Sequence, residues 1–370
     1  MKIAVNTRFL LSGKLEGIGV YTQEIFKRVV KLLPEHEFFF LFDRPFASEF
    51  VFEKNVIPIV TFPPARHPFL WYWWFEYVAP KVLKKHKIDL FISPDGYCSL
   101  KTTIPQIITI HDIGFEHFPE HTPFLVRNYY RHFTPKYCEK ATKILTVSEF
   151  SKQDIHSRYG IDSNKIEVVH NGFNLSKWEI NKNTLSNNTI PYFIFVGAVH
   201  PRKNVLGLLK AFEEFKHRYN LPHQLMIVGR KSWLYDEVEN FHQQMNYRND
   251  VIWKEHVQRE TLIQLMQHAS ALIYPSWLEG FGIPIIEAMS MGIPVVTSNV
   301  SALPEIADGA AILVNPANIT EIADAMYVVI TNNELRTQLI AKGKQRAQFF
   351  NWDTSAQKVA DIILGFNTNL

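Results

Sequence analysis

Short apolar runs rich in β-branched and aromatic residues alternate with longer segments of helical periodicity along the whole chain. In the first half the runs are KIAVNTRF, EFFFLFD, LFISPD, QIITIHD and KILTVS. In the second half they are PYFIFVGAV, QLMIVG, VIWKEHV, ALIYPS, PVVTS and AAILVNP. Because strands that alternate with helices build βαβ units, the pattern predicts an α/β protein with parallel sheets.

This pattern of strands and helices occurs twice, and a polar stretch of the chain separates the two occurrences. A chain of 370 residues exceeds one ordinary core, so two domains are expected. The stretch NKNTLSNNTIP, residues 181–191, is the best candidate for the boundary. We therefore predict one domain over residues 1–185 and a second over residues 190–351. From its pattern alone, the last helix, about residues 352–370, could pack on either domain.

The composition is that of a folded soluble protein, with 46% hydrophobic and 20% charged residues. Two cysteines, Cys98 and Cys138, are too few for a disulfide framework, so a reducing, cytoplasmic compartment is expected. The first residues lack the long apolar core of a signal peptide. No apolar run reaches the length of about 18 residues that a membrane-spanning helix needs.

The net charge of +3 is unevenly distributed. Residues 1–186 hold 24 Lys and Arg against 19 Asp and Glu, whereas residues 187–370 hold 15 against 17. The first half therefore favours an anionic partner such as a membrane surface, a lipid phosphate or an acidic glycan, although a solvated surface explains the same excess. The low net charge and the lack of a nucleic-acid-binding motif argue against a nucleic acid partner.

Open parallel sheets bind ligands beyond the carboxyl ends of their strands, and the first domain has two candidate segments there. Gly17 and Gly19 would let the backbone approach a ligand, and a helix beginning near Tyr21 would direct its N–H groups at an anion. A flexible loop that leads into a helix is the alternative. His111 and Asp112 follow a buried strand, either as residues of a cleft or as a structural His–Asp pair.

The segment FVGAVHPRKN opens the second domain. Gly197 ends a strand, and Arg202 and Lys203 then stand at the start of a helix predicted over Asn204–Phe215. Two cations beside a helix N-terminus suit a phosphate or a diphosphate. The alternative, two exposed cap residues, is disfavoured because cations in a first turn oppose the helix dipole unless an anion joins them.

Two carboxylates, Glu279 and Glu287, stand eight positions apart in the segment PSWLEGFGIPIIEAM. Gly280 and Gly282 allow a tight turn, and Pro284 suits the first position of a helix that carries Glu287. Both acids would follow the strand ALIYP, where a carboxylate accepts hydrogen bonds from the paired hydroxyls of a ribose or hexose. For Glu287, stabilisation of the helix N-terminus is the alternative.

A metal site is not expected. The sequence contains no Asp-x-Asp, the usual carboxylate pair that holds Mg²⁺ against a diphosphate. His117 and His121 follow His111, but their spacing lacks a convincing third ligand. Arg202 and Lys203, together with helix N-termini, would then neutralise a diphosphate.

The segment HPFLWYWWFEYVAPKVLKKHK is apolar on both sides of a helix and ends in lysines. Trp, Tyr and Lys side chains suit the headgroup region of a membrane. A membrane or acceptor surface would use Trp71, Trp73, Trp74, Lys84 and Lys85. A core helix with a solvated basic end is the alternative.

Taken in order, these motifs resemble those of the retaining nucleotide-sugar glycosyltransferases of family 4. The set covers nearly the whole chain and comprises GIGVYTQEI, HDIGFEHFPE, TVSEFSKQDI, VVHNGF, VGAVHPRKN, IVG and PSWLEGFGIPIIEAMSMGIPVVTS. The resemblance implies the GT-B fold, in which two Rossmann-like domains face each other across a cleft. It also implies that the C-terminal helix packs back on the first domain.

The same resemblance implies roles for the candidate residues. Glu287 would bind the ribose, Glu279 the hydroxyls of the transferred sugar, and Arg202 with Lys203 the diphosphate. His111 would lie against the donor sugar, and the base near His256 and Val257. The implied catalytic set is His111, Arg202, Lys203 and Glu279. The implied donor-binding set is Gly17, Gly19, Gly197, Arg202, Lys203, His256, Val257, Glu279, Gly280, Phe281, Gly282 and Glu287.

Within the family, IHDIGFEHFPE, RNYYR and VGAVHPRKN look most like bacterial mannosyltransferases that build surface polysaccharides. The resemblance therefore implies GDP-mannose as donor, no metal or other cofactor, and retention of the anomeric configuration. It implies a lipid-linked or growing glycan as acceptor, such as O-antigen or capsule, and a peripheral enzyme at the inner face of the cytoplasmic membrane. A UDP- or dTDP-sugar is the alternative donor.

Two further functions stay open at this point. The first is a glycoside hydrolase with Glu279 and Glu287 as acid and nucleophile. The second is an inactive scaffold that binds sugar nucleotides. The phosphate-binding cations argue against the hydrolase, which has no need of them, and the complete set of motifs argues against the scaffold.

Overall fold

The computed structural model shows two compact units, described over residues 1–173, 190–231 and 236–367. The first unit comprises Met1–Gly172 and Asn351–Leu370, and the second comprises Phe173–Phe350. The predicted boundary at residues 181–191 lies almost entirely outside the described residues. The chain therefore leaves the first unit once and returns to it at its C-terminal end.

Parallel strands form the centre of the first unit. They are β1 (Lys2–Asn6), β2 (Glu37–Phe42), β3 (Val56–Val60), β4 (Leu90–Ser93), β5 (Gln106–Ile110), β6 (Lys143–Thr146) and β7 (Ile166–Val168). In the described part of the chain they form one seven-stranded sheet in the order β3-β2-β1-β4-β5-β6-β7. The central strands are buried along their length, which is why they read as continuous apolar runs in the sequence.

Helices connect these strands. They are α1 (Gly17–Leu32), α2 (Pro68–Trp73), α3 (Ala79–His86), α4 (Gly114–His117), α5 (Phe124–Lys140) and α6 (Glu149–Tyr159). A π-helical segment, Trp74–Val78, joins α2 to α3. Local sequence sets the ends of α6: the Ser148 side chain accepts a hydrogen bond from the Ser151 N–H, and Gly160 ends the helix in a left-handed conformation.

Two strands of the first sheet were not predicted from the sequence. β3 contains Pro58, which normally argues against a strand, but β3 lies at the edge of the sheet, where a missing N–H is tolerated. β7 is only three residues long and forms the opposite edge, so its apolar run is too short to be distinctive. Both omissions concern edge strands, whereas the interior strands of this sheet match the predicted runs.

The second unit repeats the architecture. Its strands are β8 (Tyr192–Val196), β9 (Gln224–Val228), β10 (Val251–Lys254), β11 (Ala271–Tyr274), β12 (Val295–Ser298) and β13 (Ile312–Val314). Among the described residues they form a six-stranded parallel sheet in the order β10-β9-β8-β11-β12-β13. Each predicted run of the second half is one of these strands, and the predicted α/β class with two parallel sheets is confirmed.

The helices of the second unit are α7 (Val205–Tyr219), α8 (Asp236–Gln244), α9 (Arg259–Gln267), α10 (Ile283–Ser290), α11 (Leu303–Ala307), α12 (Ile319–Thr331) and α13 (Asn333–Phe349). Asparagine side chains cap two of them. Asn318 accepts from the N–H of Glu321 at the start of α12, and Asn332 accepts from the N–H of Leu335 at the start of α13.

The C-terminal helix α14 (Trp352–Asn367) belongs to the first unit and packs along α1. Arg28 on α1 forms an ion pair with Asp353, and the Ser355 hydroxyl donates to the carbonyl of His170 at 2.7 Å. Gly172 lies so close to Trp352 that an added Cβ would meet its backbone nitrogen at 2.2 Å. These contacts join the end of the chain to the first unit.

Candidate active site

The carboxyl edge of the second sheet brings two neighbouring strand ends together. β8 and β11 pair directly, and β11 ends at Tyr274. The chain after β8 forms a short 3₁₀ turn, Pro201–Lys203, and the chain after β11 forms the loop that carries Glu279. The Trp277 N–H donates to the carbonyl of Arg202 at 2.8 Å, which ties the two loops to each other.

Lys203, Tyr274 and Glu279 form a closed triangle of hydrogen bonds. The Lys203 ammonium donates to the Tyr274 hydroxyl at 2.7 Å and to Oε1 of Glu279 at 2.5 Å. The Tyr274 hydroxyl donates to the same Oε1 at 2.9 Å. Tyr274 is 1% exposed and Glu279 is 6% exposed, so this ion pair is largely shielded from water. Removal of either charged partner would leave the other charge buried and unbalanced.

Two cations determine the charge of Glu279. Burial raises the pKa of this carboxyl, but the charges of Lys203 and Arg202 outweigh burial and hold the pKa below its usual range. Burial and the Glu279 charge raise the pKa of Tyr274 well above its usual value, so the phenol stays protonated. At neutral pH the site therefore combines an ionised carboxylate with two cations, which suits hydroxyl groups on one side and phosphates on the other.

The turn with Arg202 and Lys203 precedes α7 and does not form its first turn. The helix starts only after Asn204, which has a left-handed backbone with φ 56°. The buried Asn204 side chain donates to the carbonyls of Pro275 at 3.0 Å and Pro316 at 2.8 Å. This amide therefore anchors the turn to the loop after β11. The helix that was predicted to begin at Asn204 therefore begins one residue later, at Val205.

Gly197 stands between β8 and the cationic turn. Its φ of 153° lies in the region that favours glycine. A Cβ at this position would contact the Phe195 ring at 3.5 Å and would lie 4.0 Å from Cε of Lys203. The conformation of Gly197 thus shapes the backbone directly beside the Lys203 side chain.

Glu287 lies in the second turn of α10, the helix that follows β11. Gly282 precedes the helix with φ 103°, and a Cβ there would meet Cδ2 of Leu303 at 2.9 Å. Glu287 is half-buried, and burial raises its pKa to about 8 although the Arg259 charge opposes that rise. The carboxyl is therefore mainly protonated at neutral pH, and any group that favours its ionised form lowers this pKa.

The remaining candidates of the second unit lie further from the triangle or within the core. Phe281 is buried, and its ring packs edge-on against Phe350 with centroids 5.2 Å apart, while Gly280 is buried beside it. The predicted role of Phe281 accordingly concerns its backbone. His256 and Val257 lie in the loop after β10, the edge strand two positions from β8.

In the first unit, His111 follows β5 at the carboxyl edge of the sheet. Its Nε2 donates to the carbonyl of Pro94 at 3.0 Å, which makes Nδ1 the acceptor of the neutral ring. Burial lowers the pKa of His111, so the ring is neutral at pH 7. Asp112 accepts a hydrogen bond from the Gly114 N–H at the start of α4. Tyr21 contacts the His111 ring edge-on at 4.9 Å.

The glycine segment after β1 differs from the prediction in one respect. The helix predicted near Tyr21 begins four residues earlier, at Gly17. A Cβ at Gly19 would meet the carbonyl oxygen of Phe9 at 2.6 Å, so packing within the unit requires glycine there. A Cβ at Gly17 would meet nothing within 4 Å, so only Gly17 retains open space for a ligand.

Comparison with known proteins gives this geometry its context. The family model Glycosyltransferase Family 4 matches residues 15–177, and the model Glycosyl transferases group 1 matches residues 176–346. The chain is 31% identical to the O-antigen chain mannosyltransferase RfbU of Salmonella typhimurium over 323 residues, 84% of this chain and 86% of that protein. The chain belongs to glycosyltransferase family 4.

Other proteins are similar to the chain in sequence or in fold. The family 4 enzyme is 27% identical to the O-antigen chain mannosyltransferase B of Escherichia coli, over 73% of each chain. Sucrose-phosphate synthase from Thermosynechococcus elongatus has a TM-score of 0.80 at 16% identity, with both chains fully covered. HepE of Anabaena, solved with UDP and glucose, has a TM-score of 0.76 at 19% identity, covering 99% of this chain and 100% of that one.

These comparisons confirm the GT-B fold class and the glycosyltransferase activity. The glycoside hydrolase and the inactive scaffold are therefore set aside.

Sequence analysis of the glycosyltransferase missed Tyr274. This residue looked like the last apolar residue of a buried strand, yet its hydroxyl contacts both charged groups of the triangle. A usable signal was present: tyrosine is the one residue of ALIY with a polar group, and it ends the strand at the carboxyl edge. We therefore add Tyr274 to the candidate site as a residue that positions Lys203 and Glu279.

A second unpredicted group is the buried ion pair of Arg8 and Asp95. Arg8 Nε donates to Oδ2 of Asp95 at 2.7 Å, and both side chains are almost fully buried. The Arg8 guanidinium also lies 4.0 Å from the ring centroid of Tyr97. The pair follows β1 and β4, whose carboxyl ends are adjacent, but the two residues are 87 positions apart in the sequence.

The structure corrects the predicted surface role of two tryptophans. Trp74 is 0% exposed, and its Nε1 donates to the Thr61 hydroxyl at 2.8 Å, so it is a core residue. Trp71 is half-buried, donates to the carbonyl of Ala65 and stacks on Tyr130 at 5.8 Å. The rings of Tyr129 and Tyr130 on α5 pack against Trp71, and the Thr61 hydroxyl after β3 accepts from Trp74, so both tryptophans have partners within the first unit.

The other candidates of this segment are on the surface. Trp73 is 51% exposed and stacks on Tyr77 at 4.8 Å, and Phe69 is 74% exposed. Lys84 and Lys85 are exposed in the last turn of α3. We call Phe69, Trp73, Tyr77, Lys84 and Lys85 the α2–α3 surface. Of the predicted residues, Trp73, Lys84 and Lys85 are the exposed ones.

Within residues 1–173, 190–231 and 236–367, no group of three or more His, Cys, Asp or Glu side chains is arranged to hold a metal ion. None of the described helices is both long enough and apolar enough to cross a membrane.

Proposed function

We propose that this glycosyltransferase transfers mannose from GDP-mannose to a growing surface glycan or its lipid-linked precursor. The observation that carries the proposal is the 31% identity to the Salmonella typhimurium protein named O-antigen chain mannosyltransferase, over 86% of that protein. The name of the similar Escherichia coli protein, O-antigen chain mannosyltransferase B, supports the same donor sugar and class of acceptor.

The second unit would bind the donor through the triangle. Lys203 and Arg202 would neutralise the diphosphate, and Glu279 would accept hydrogen bonds from hydroxyls of the mannose. Without a donor, Lys203 and Glu279 neutralise each other at 2.5 Å. A diphosphate offers Lys203 an alternative anion, and sugar hydroxyls offer Glu279 alternative hydrogen-bond donors, so both groups keep a polar partner when the donor replaces the internal ion pair.

Glu287 would bind the two ribose hydroxyls of the nucleotide. A carboxylate accepts from both hydroxyls at once, whereas the protonated acid keeps only part of this capacity. Since the pKa of Glu287 is about 8, ribose binding would favour ionisation of the group near neutral pH.

The proposed transfer is a substitution at the anomeric carbon of the donor. A hydroxyl oxygen of the acceptor forms a bond to that carbon, and the bond from the carbon to the phosphate oxygen breaks. GDP leaves with the electron pair of that bond, and its phosphate oxygen takes the proton of the acceptor hydroxyl. Attack on the face that GDP leaves would retain the anomeric configuration. Arg202 and Lys203 would stabilise the charge that develops on the leaving group.

The proposal uses no metal ion. Arg202 and Lys203 are already placed at the triangle, and α7 begins directly after them, so the positive end of the helix adds to their charge. Neutral His111 would accept a hydrogen bond from the donor sugar through Nδ1. The guanine base would lie near His256 and Val257, and the open backbone at Gly17 would approach the phosphates.

We further propose that the enzyme binds the inner face of the cytoplasmic membrane through the α2–α3 surface. Exposed Trp and Phe side chains insert at the level of lipid headgroups, and lysines beside them attract anionic lipids. Phe69 and Trp73 supply the apolar groups, and Lys84 and Lys85 supply the charge. Such binding would bring a lipid-linked acceptor to the first unit.

Donor binding can be tested by thermal shift with GDP-mannose and with UDP-, dTDP- and ADP-sugars. A donor at 100 times its Kd stabilises the protein by about 2.7 kcal/mol, which gives a clear increase in Tm. We expect the largest increase with GDP-mannose and none in the Lys203→Ala variant. A larger increase in Tm with a UDP- or dTDP-sugar would identify that nucleotide sugar as the donor in place of GDP-mannose. No increase in Tm with any nucleotide sugar would contradict the proposal.

A further inference from the structure

We propose that Tyr21 and Trp352 are positioning residues for His111, because their two rings hold the imidazole in the orientation that the transfer needs. The rings of Trp352, Tyr21 and His111 contact one another in that order within the first unit. The inference rests on the proposed function, which places His111 against the donor sugar. It gives the C-terminal helix α14 a part in the reaction.

The backbone of His111 is held more firmly than its ring. The Ser151 hydroxyl donates to the His111 carbonyl at 3.2 Å, which ties this residue to the start of α6. The imidazole is held through Nε2, which donates to the carbonyl of Pro94 at 3.0 Å. A hydrogen bond at one nitrogen does not by itself fix the plane of the ring. A packed contact on the ring is therefore needed to keep Nδ1 directed at a ligand.

Tyr21 supplies that contact. Its ring lies edge-on to the His111 ring, with centroids 4.9 Å apart and 89° between the planes, an arrangement that aromatic rings prefer. Tyr21 lies in the second turn of α1 and is 2% exposed. Burial raises the pKa of Tyr21, so the phenol is neutral and acts on the imidazole through its ring. Rotation of the imidazole would break this edge-on contact.

Trp352 supports Tyr21 from the side of α14. The two rings have centroids 6.1 Å apart and 65° between their planes, and Trp352 is buried. A Cβ on Gly172 would meet the backbone nitrogen of Trp352 at 2.2 Å and Cγ of its indole at 2.5 Å, so the Gly172 backbone lies directly against this residue. The Asp353 N–H donates to the Asn351 side chain at 2.7 Å, which caps the start of α14. Trp352 is therefore fixed on both sides.

Packing of the core alone is the competing explanation for these rings. Phe26, one turn further along α1, illustrates it, because this buried ring contacts another core ring, Phe40, at 6.2 Å. Tyr21 differs because its contact is with a residue that the proposed function assigns to the donor sugar. The two explanations predict different consequences when equally buried rings of the same helix are removed.

Nitrogen-15 NMR of the imidazole tests the positioning without any donor. The His111 signals are those missing from His111→Gln, and they report which ring nitrogen carries the proton. We expect a protonated Nε2 and an acceptor Nδ1 in the wild type. Tyr21→Leu and Trp352→Leu should both shift the two signals towards the average of exchanging tautomers, whereas Tyr21→Phe, which keeps the ring, should recover the wild-type shifts. Unchanged shifts in the folded leucine variants would overturn the inference.

Phe26→Leu is the matched control for lost packing. It removes a buried ring from the same helix, away from His111. This variant should lose thermal stability as Tyr21→Leu does, keep the wild-type His111 signals and turn over GDP-mannose within about twofold of the wild type. His111 signals that move equally in Phe26→Leu and Tyr21→Leu would show that the rings only fill the core.

Kinetics tests whether Tyr21 acts through His111. Tyr21→Leu should lower kcat with GDP-mannose about tenfold or more and change the donor KM less than about threefold, since a misplacement of about 1 Å costs on the order of 100-fold in rate. Added to His111→Ala, the same change should cause no further loss beyond about twofold, because its only route to the reaction is gone. Losses that multiply in the double variant would contradict the inference.

A second variant covers a failure of Tyr21→Leu to fold. Trp352→Phe places a smaller ring behind Tyr21 and should lower kcat about threefold or more, again without a further loss in His111→Ala. Wild-type kcat in this variant would then overturn the inference. A wild-type enzyme that turns over no nucleotide sugar would contradict the proposed function, and the His111 signals would still decide whether Tyr21 and Trp352 hold the ring.

Discussion

At the scale of single residues, the Tyr274 hydroxyl is the least expected part of the site. It accepts a hydrogen bond from Lys203 and donates one to Glu279, so one phenol fixes the positions of two charged groups. Hydrogen bonds to charged groups contribute about 1.5–3 kcal/mol each. Loss of this hydroxyl would leave both charges in place but free to move relative to the donor.

The variant Tyr274→Phe tests this positioning. We expect kcat/KM for the donor to fall about 10- to 100-fold, because the charges that contact the diphosphate and the sugar lose their common partner. Steady-state kinetics with GDP-mannose measures the effect. Tyr192→Phe is the matched control: its hydroxyl donates to the carbonyl of Leu265, away from the triangle. Wild-type kinetics in the Tyr274→Phe variant would show that Tyr274 does not belong to the site.

The buried ion pair predicts how Lys203 and Glu279 variants behave together. Lys203→Met or Glu279→Gln alone should lower the free energy of unfolding by about 3 kcal/mol, because the remaining buried charge loses its nearest counter-charge. The double variant should regain most of that stability and remain inactive, since both groups that would bind the donor are gone. Chemical denaturation and donor turnover provide the two readouts. Additive losses of stability in the double variant would contradict the pairing.

The raised pKa of Glu287 predicts a pH dependence. The free group ionises near pH 8, and the ionised form is the better acceptor for two ribose hydroxyls. The affinity for GDP should therefore increase with pH, by at most about 100-fold between pH 6 and pH 9, as the cost of ionising Glu287 disappears. Titration calorimetry measures Kd across this range. Glu287→Gln should show a flat profile, and an affinity that decreases with pH in the wild type would exclude this role.

At this scale the sequence identified candidate residues of the site, but it did not reveal how they contact one another. Glycines, cations and acids at strand ends are visible as motifs. The pairing of Lys203 with Glu279 joins residues 76 positions apart, and hydrophobic periodicity does not specify such a contact. The same holds for Arg8 and Asp95, whose contact depends on the order of strands in the sheet.

At the scale of elements, prediction succeeded where a strand is buried on both faces. β2 is a run of apolar residues buried along almost its whole length, and such a run of aromatic residues is typical of a strand. The edge strands β10 and β13 were predicted as well, whereas β3 and β7 were not, because β3 contains Pro58 and β7 has only three residues. The start of α1 was misplaced because Gly17 and Gly19 were assigned to a loop before the helix, whereas both lie in its first turn.

The α2–α3 surface carries a prediction about membranes. Phe69→Ser together with Trp73→Ser should reduce binding to vesicles that contain about a third anionic lipid several-fold, since two exposed aromatic anchors are lost. Co-sedimentation measures the bound fraction. Phe349→Ser is a matched control, because Phe349 is a comparably exposed aromatic residue of the second unit. Equal pelleting of the double variant and the wild type would refute membrane binding through this surface.

At the scale of the whole molecule, the sequence predicted both sheets, and the resemblance predicted the family. The return of the chain to the first unit was implied by the resemblance alone, because the pattern of α14 fits either unit. The contacts of α14 with α1 and with the segment before residue 173 explain it physically: Ser355 donates to the His170 carbonyl, and Trp352 packs on Gly172.

The proposed metal independence is tested on the whole enzyme. Since Arg202 and Lys203 would neutralise the diphosphate, treatment with EDTA followed by desalting should leave turnover of GDP-mannose within about twofold of the untreated enzyme. Turnover with and without added Mg²⁺ or Mn²⁺ provides the comparison. Loss of activity that a divalent cation restores would require a metal site.

Release of nucleoside diphosphate from a panel of nucleotide sugars tests the central claim most directly. The purified enzyme is incubated with GDP-mannose and with UDP-, dTDP- and ADP-sugars, and the freed nucleotide is quantified with and without a glycoside acceptor. We predict GDP release from GDP-mannose that the acceptor accelerates and that Lys203→Ala reduces at least 100-fold. Release from none of the donors, or faster release from another nucleotide sugar, would contradict mannosyl transfer from GDP-mannose.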